Sequence, residues 1–229
     1  MHSHPEISSD LLTVLAKKFS VLGRLANYLD SSEDKELIKE RENRMGAAKV
    51  YEYIIAYILK GKVAHGVGYD IHESEIIKNK KIEVKTTMKS FFRKDGKLRK
   101  SSIIITNKFK PNNKIDLKSD IFIITSLQDR MTFILDSKMM EPHIKVSGSQ
   151  LLFGVPNLYD CDSAIIDWSS PAGIMSKECY HELYAESNKL DPEKNIKKIL
   201  DRDIYGVTLE DILEKAKELL KLIKEYVKK

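Results

Sequence analysis

Ile82-Glu83-Val84-Lys85-Thr86-Thr87, preceded by Gly68-Tyr69-Asp70-Ile71, is the stretch on which the fold turns. From Ile82 to Lys85 apolar and charged residues alternate, the period of a half-buried strand. That period sends Ile82 and Val84 to the core and Glu83 and Lys85 together to the opposite face. Val67 to Ile71 alternates as well, with Tyr69 and Ile71 on one side and Asp70 on the other. The largely polar run Glu73 to Lys80 lets the chain double back. Two neighbouring antiparallel strands then place Asp70, Glu83 and Lys85 on one face, within reach of a single ion.

Such a trio suits metal-assisted phosphodiester hydrolysis. Mg²⁺ takes oxygen ligands, needs only one or two carboxylates and completes its shell with water and phosphate oxygens. Asp70 and Glu83 are the carboxylates for it. An ammonium beside them, Lys85, can orient the attacking water, help deprotonate it or offset charge growing on the phosphate. The plainer alternative for Glu83 and Lys85 is a solvated strand face.

Asp70 followed by Glu83-Val84-Lys85 resembles the D…(D/E)-x-K signature of the PD-(D/E)XK nuclease superfamily, the group of the type II restriction endonucleases. Tyr69 stands where the signature has proline. The resemblance covers Gly46 to Ile124, about a third of the chain. It implies an α/β fold of restriction-endonuclease-like type, a central mixed β-sheet flanked by helices, with helical N- and C-terminal segments. It also implies Mg²⁺-dependent cleavage of double-stranded DNA at a short sequence, leaving a 5′-phosphate and a 3′-hydroxyl. Members commonly carry a glutamate on the helix before the aspartate strand, and Glu52 is similar to that residue. Its implied role is an outer-shell or second-metal contact, against the alternative of a surface glutamate between small residues.

Acid-x-Lys also occurs at Glu33/Lys35, Asp95/Lys97, Asp116/Lys118 and Asp136/Lys138. Glu33 lies in a polar helix-like run, Asp95-Gly96 reads as a turn, and Asp116 precedes its strand. Asp136/Lys138, ending the strand-like Met131 to Leu135, is the one serious competitor, and it lacks the Gly-Tyr-Asp partner strand.

The 229 residues suffice for one compact domain, and 42% hydrophobic residues is ordinary for a folded chain. No stretch approaches the ~18–20 apolar residues of a membrane span, and no signal-peptide pattern opens the sequence. Cys161 and Cys179 make no metal-ligand spacing, so a cytoplasmic location is expected. The net charge of +5 permits a nucleic-acid partner without demanding one.

Three segments are expected: a helical one over 1–45, the nuclease-like core over 46–172 and a helical one over 173–229 that forms one compact unit with the core. Leu11 to Leu29 has helical spacing. Ser31 to Arg44 is a charged helix or arm, solvated or touching phosphate through Arg41 and Arg44. In Gly46 to Leu59, Val50, Ile54 and Ile58 form one apolar stripe and Tyr51, Ile55 and Leu59 a second, so this helix packs on the sheet. Ala48, Glu52 and Ala56 line a third face at i, i+4 spacing.

Between Lys78 and Lys114 the chain turns strongly basic. Lys89, Arg93, Lys94, Lys97, Arg99, Lys100 and Lys108 are the candidate DNA contacts, since a basic loop beside the catalytic strand is where a phosphate backbone would run. Phe91 and Phe92 either wedge against bases or anchor the loop to the body. Ser102 to Thr106, Asp120 to Thr125 and Met131 to Leu135 read as strands, the first crossing the centre of the sheet and the last two joined by a turn at Gln128-Asp129-Arg130. Lys145 to Gly154 and Leu158 to Ile166 mix strand and turn. Ser147, Ser149, Gln150 and Asn157 are residue types able to read base edges, and equally ordinary loop residues.

Ser176 to Ser187 and a helix opened by Asp191-Pro192-Glu193 follow, then a long amphipathic helix from Thr208 to Val227. Its broad apolar side packs on its own domain or on a second copy, and a two-fold homodimer is the expected form of an enzyme cutting both strands of a palindrome. Two other functions fit the same residues: a structure-selective nuclease such as a Holliday junction resolvase, and a non-catalytic DNA-binding protein.

Overall fold

The computed structural model of the chain describes residues 19, 22, 44–64, 68–106, 109–110, 114–167 and 177–201. In chain order its elements are α1 (Arg44–Ile58), β1 (Lys62–Val63), β2 (Ile71–His72), β3 (Ile82–Thr87), β4 (Ser102–Thr106), β5 (Ile121–Ser126) and β6 (Met131–Asp136). There follow α2 (Ser137–Met140), β7 (Ile144–Ser147), β8 (Gln150–Gly154), β9 (Asp162–Asp167), α3 (Lys177–Ser187) and α4 (Pro192–Asp201).

Both apolar stripes of α1 are buried, from Val50 and Tyr51 through Ile58 and Leu59. The helix stops in a Schellman turn: Gly61 N–H donates to the Ala56 carbonyl at 2.8 Å and Lys60 N–H to that of Tyr57 at 3.1 Å. Lys60 takes the left-handed conformation this turn requires, with φ 49°.

Six strands form a mixed sheet in the order β1-β2-β3-β5-β6-β9. Only β3 and β5 run parallel, in register from Ile82 opposite Ile121 to Thr87 opposite Ser126. Every residue of β5 is buried, because both faces of the sheet are covered. On one face Ile82, Val84, Ile121, Ile123, Ile134 and Ile166 pack with residues of α1, α3 and α4. On the other, Phe122, Ile124, Phe133 and Leu135 meet Ile105, Phe153 and Met140. Phe19 and Leu22 are buried in the helical-side core. The chain is thus a mixed α/β protein with a multi-strand mixed sheet flanked by helices.

The second face carries what the sequence did not announce. β4, expected at the centre of the sheet, belongs instead to a separate three-stranded sheet in the order β4-β8-β7. Parallel neighbours cannot be joined by a tight turn and need a crossover. The chain between β3 and β5 makes that crossover, and β4 lies along it, where it pairs with β8 from Ser102 opposite Gly154. The second strand is also shorter than Val67 to Ile71 suggested. β2 is only Ile71–His72, and Asp70 lies just before it. The turn after β5 falls at Leu127 to Arg130 as expected, and Phe92 and Leu98 bridge across the Asp95-Gly96 turn.

Leu11 to Leu29 apart from Phe19 and Leu22, Ser31 to Glu42, Trp168 and Thr208 to Val227 lie outside the described residues, as does Lys108. No described helix is long and apolar enough to cross a membrane.

Candidate metal and nucleic-acid site

The site forms where the sheet opens along β3. β2 meets β3 through the single pair Ile71 and Ile82. Asp70 N–H still reaches the Ile82 carbonyl at 2.9 Å, but there the preceding chain leaves the ladder. The next inward N–H of β3, that of Val84, is taken by the Asp70 side chain, whose Oδ2 accepts it at 2.7 Å. A carboxylate therefore stands where backbone would otherwise pair. It is fixed in the plane of the sheet edge instead of swinging on a free side chain.

Glu83 and Lys85 project from β3 in alternation with the buried Ile82 and Val84. Their side chains are 14% and 26% exposed and joined by a 2.5 Å contact between Lys85 Nζ and Glu83 Oε1. Glu52 approaches from α1. It interacts electrostatically with Asp70, Glu83 and Lys85, so residues from α1, from β3 and from the chain entering β2 act on one another.

Three carboxylates then gather about Lys85, with Lys49 also acting on Glu52, in a place largely removed from water. Burial, then the charges of Asp70 and Glu83, pushes Glu52 up to about 7, with Lys85 opposing. Burial raises Asp70, against the Val84 N–H and Lys85. Glu83 is also raised, by burial and by Asp70, against Lys85. Crowded, desolvated carboxylates each resist ionising, and a divalent cation relieves that resistance. Among the described residues no group of three or more His, Cys, Asp or Glu makes a ready metal site. Two carboxylates with water and substrate oxygens nonetheless suit Mg²⁺, and the all-oxygen donor set of Asp70 and Glu83 fits it.

The competing acid-x-Lys pairs among the described residues have other occupations, and Glu33/Lys35 lies outside those residues. Asp136 caps α2, its Oδ1 accepting Lys138 N–H at 2.8 Å. Asp95 accepts Lys97 N–H at 3.2 Å within its turn. Asp116 and Lys118 form an exposed ion pair.

Among the candidate DNA contacts, Lys89, Arg93, Lys94, Lys97, Arg99 and Lys100 are all exposed. Arg93 faces Asp95 at 3.4 Å, and Arg99 Nε donates to the Phe92 carbonyl at 2.7 Å. Phe91 is an anchor: it is 2% exposed and meets Phe133 edge to face with centroids 5.9 Å apart. Ser147 and Gln150 face each other across the Gly148 turn of the β7–β8 hairpin, and Asn157 sits in a helical turn after β8.

Asp129 was legible only as a turn residue. Its carboxylate accepts the Ser90 hydroxyl, Phe91 N–H at 2.5 Å and the Ser126 hydroxyl at 2.7 Å. Gln128 Oε1 accepts Ser90 N–H at 2.9 Å. The β5–β6 turn thereby holds the segment leaving β3. No spacing rule in the sequence links positions 90 and 129.

Comparison of the chain with family models, with curated proteins and with solved structures found no match.

Proposed function

We propose that the chain is a Mg²⁺-dependent DNA endonuclease of the PD-(D/E)XK type, acting as a type II restriction enzyme on a short double-stranded sequence. The observation that carries this reading is the convergence of Glu52, Asp70, Glu83 and Lys85 on the open edge of β3, with all three carboxylates resisting ionisation.

Asp70, oriented by the Val84 N–H, and Glu83 would hold Mg²⁺, with Glu52 as an accessory. The bound ion would polarise the phosphodiester and make a nearby water more acidic. Lys85 orients that water and offsets the charge growing on the phosphate. The water oxygen bonds to phosphorus, its proton passing to solvent, as the bond to the 3′ oxygen breaks. The leaving oxygen takes up a proton to become a hydroxyl, and the phosphate stays on the 5′ end. Cutting both strands of a palindrome calls for a two-fold homodimer, which light scattering after size exclusion tests directly.

The function is tested with large unmethylated phage DNA at low salt, in Mg²⁺ or EDTA, with wild type and Lys85→Ala. Discrete Mg²⁺-dependent bands that vanish in the variant are expected. Cutting that follows DNA shape would instead make the chain a structure-selective nuclease. Salt-sensitive binding without scission would make it a DNA-binding protein and overturn the enzymatic reading.

A further inference from the structure

From Lys85 a groove of roughly 920 Å³ runs along the segment leaving β3 and across to β4. One wall is the chain from Lys85 to Phe91, backed by Ala48 and Tyr51 of α1; the other is Ser101 to Ile104. Lys85 belongs to both the carboxylate cluster and the groove, so the two are continuous. Lys89 contributes positive charge, Lys85 at the groove's end is paired with Glu83, and no Asp or Glu is among the described residues lining the groove. The carboxylates stop at its mouth.

The far wall has a mixed character. Ile103 and Ile105 turn toward the core shared with Phe122 and Phe133, which sends Ser102 and Ile104 outward. Ile104 is 43% exposed, one of few large apolar side chains so placed among the described residues. The near wall is held in shape by Asp129 and Gln128 through Ser90 and Phe91. A firm wall carrying the exposed Lys89, opposite a strand presenting a hydroxyl and an apolar side chain, suits a ligand with an anionic side and an apolar side.

We propose that this groove is the track of one DNA strand, with its phosphates against Lys89 and its bases against Ser102 and Ile104, making β4 a specificity-determining element. The proposal deepens the nuclease reading and rests on it for its ligand. Phosphate contacts position a strand and base contacts discriminate, and the two walls divide those tasks.

Ser102→Cys and Ile104→Cys are each labelled with a maleimide in EDTA, alone or with a short duplex oligonucleotide at ten times its measured Kd. Leu190→Cys, at a fully exposed position on the helical side of the sheet, is the control. Peptide mass spectrometry reads the rates. Labelling at both groove positions should slow about tenfold, as expected when about one protein in ten remains free, with the control unchanged. Unchanged labelling at Ser102→Cys and Ile104→Cys in the bound complex overturns the proposal, as does equal slowing at the control or failure to bind the duplex. Mg²⁺-dependent scission by the unlabelled wild type judges the nuclease reading separately: scission without protection removes the groove alone, and protection without scission removes the nuclease alone.

Discussion

Asp70 Oδ2 accepts the backbone N–H of Val84 at 2.7 Å, so the carboxylate of one strand's end closes the hydrogen-bond ladder of its neighbour. Structure and chemistry meet in that contact. Asp70→Asn keeps an acceptor and removes the charge, whereas Asp70→Ala leaves the N–H unmatched. In EDTA, Asp70→Ala should be about 1–2 kcal/mol less stable than Asp70→Asn by urea unfolding, the usual cost of an orphaned backbone donor. Both should lose Mg²⁺-dependent cleavage. Equal stability of the two would mean that the contact does not hold the strand edge.

Glu52 sets a pH dependence whose sign is unusual for a carboxylate. Its folded value of about 7 lies above the ordinary 4.5, so between these the folded state keeps a proton that the unfolded state has lost. Stability from this group is therefore full below about 4.5 and falls as pH rises toward 7. Asp70, Glu83, Lys85 and Lys49 are the charges acting on it. Glu52→Gln removes the titration. In EDTA the variant should be more stable than wild type at pH 8, by up to about 3 kcal/mol, with the gap closing toward pH 4.5. A gap independent of pH would show that Glu52 is solvated.

Tyr53 is 2% exposed and its hydroxyl has no hydrogen-bond partner among the described residues. Burial, then Glu193 and Glu52, raises it to about 12, so it remains neutral. Removing a buried hydroxyl that bonds to nothing relieves a desolvation cost. Tyr53→Phe should raise stability by about 1–2 kcal/mol, read as a higher urea midpoint at unchanged slope. A loss of stability would reveal an ordered water on the hydroxyl.

Phe91 sits in the basic stretch but packs inward on Phe133. Phe91→Ala should cost about 3–5 kcal/mol of stability, the range for a buried aromatic. Were it a base-stacking residue, DNA affinity would fall while the unfolding midpoint held.

Local patterning by itself determined much of this protein. The alternation in Ile82 to Lys85 assigned faces to Glu83 and Lys85, because a strand's side chains alternate wherever the strand lies. The stripes of α1, the turn at Gln128 to Arg130 and Pro192 at the start of α4 were equally local and equally legible. Tertiary structure alone decided the placement of β4, since its short apolar run Ile103 to Ile105 suits any sheet and only the crossover between parallel β3 and β5 put it in a second layer. It also gave the competing pair its occupation: Asp136, set apart in the sequence by its lack of a Gly-Tyr-Asp partner strand, caps α2. The in-plane setting of Asp70, the approach of Glu52 and the hold of Asp129 on Ser90 and Phe91 join residues far apart in the chain. Such contacts arise when packed elements bring their side chains together, and no periodicity records them.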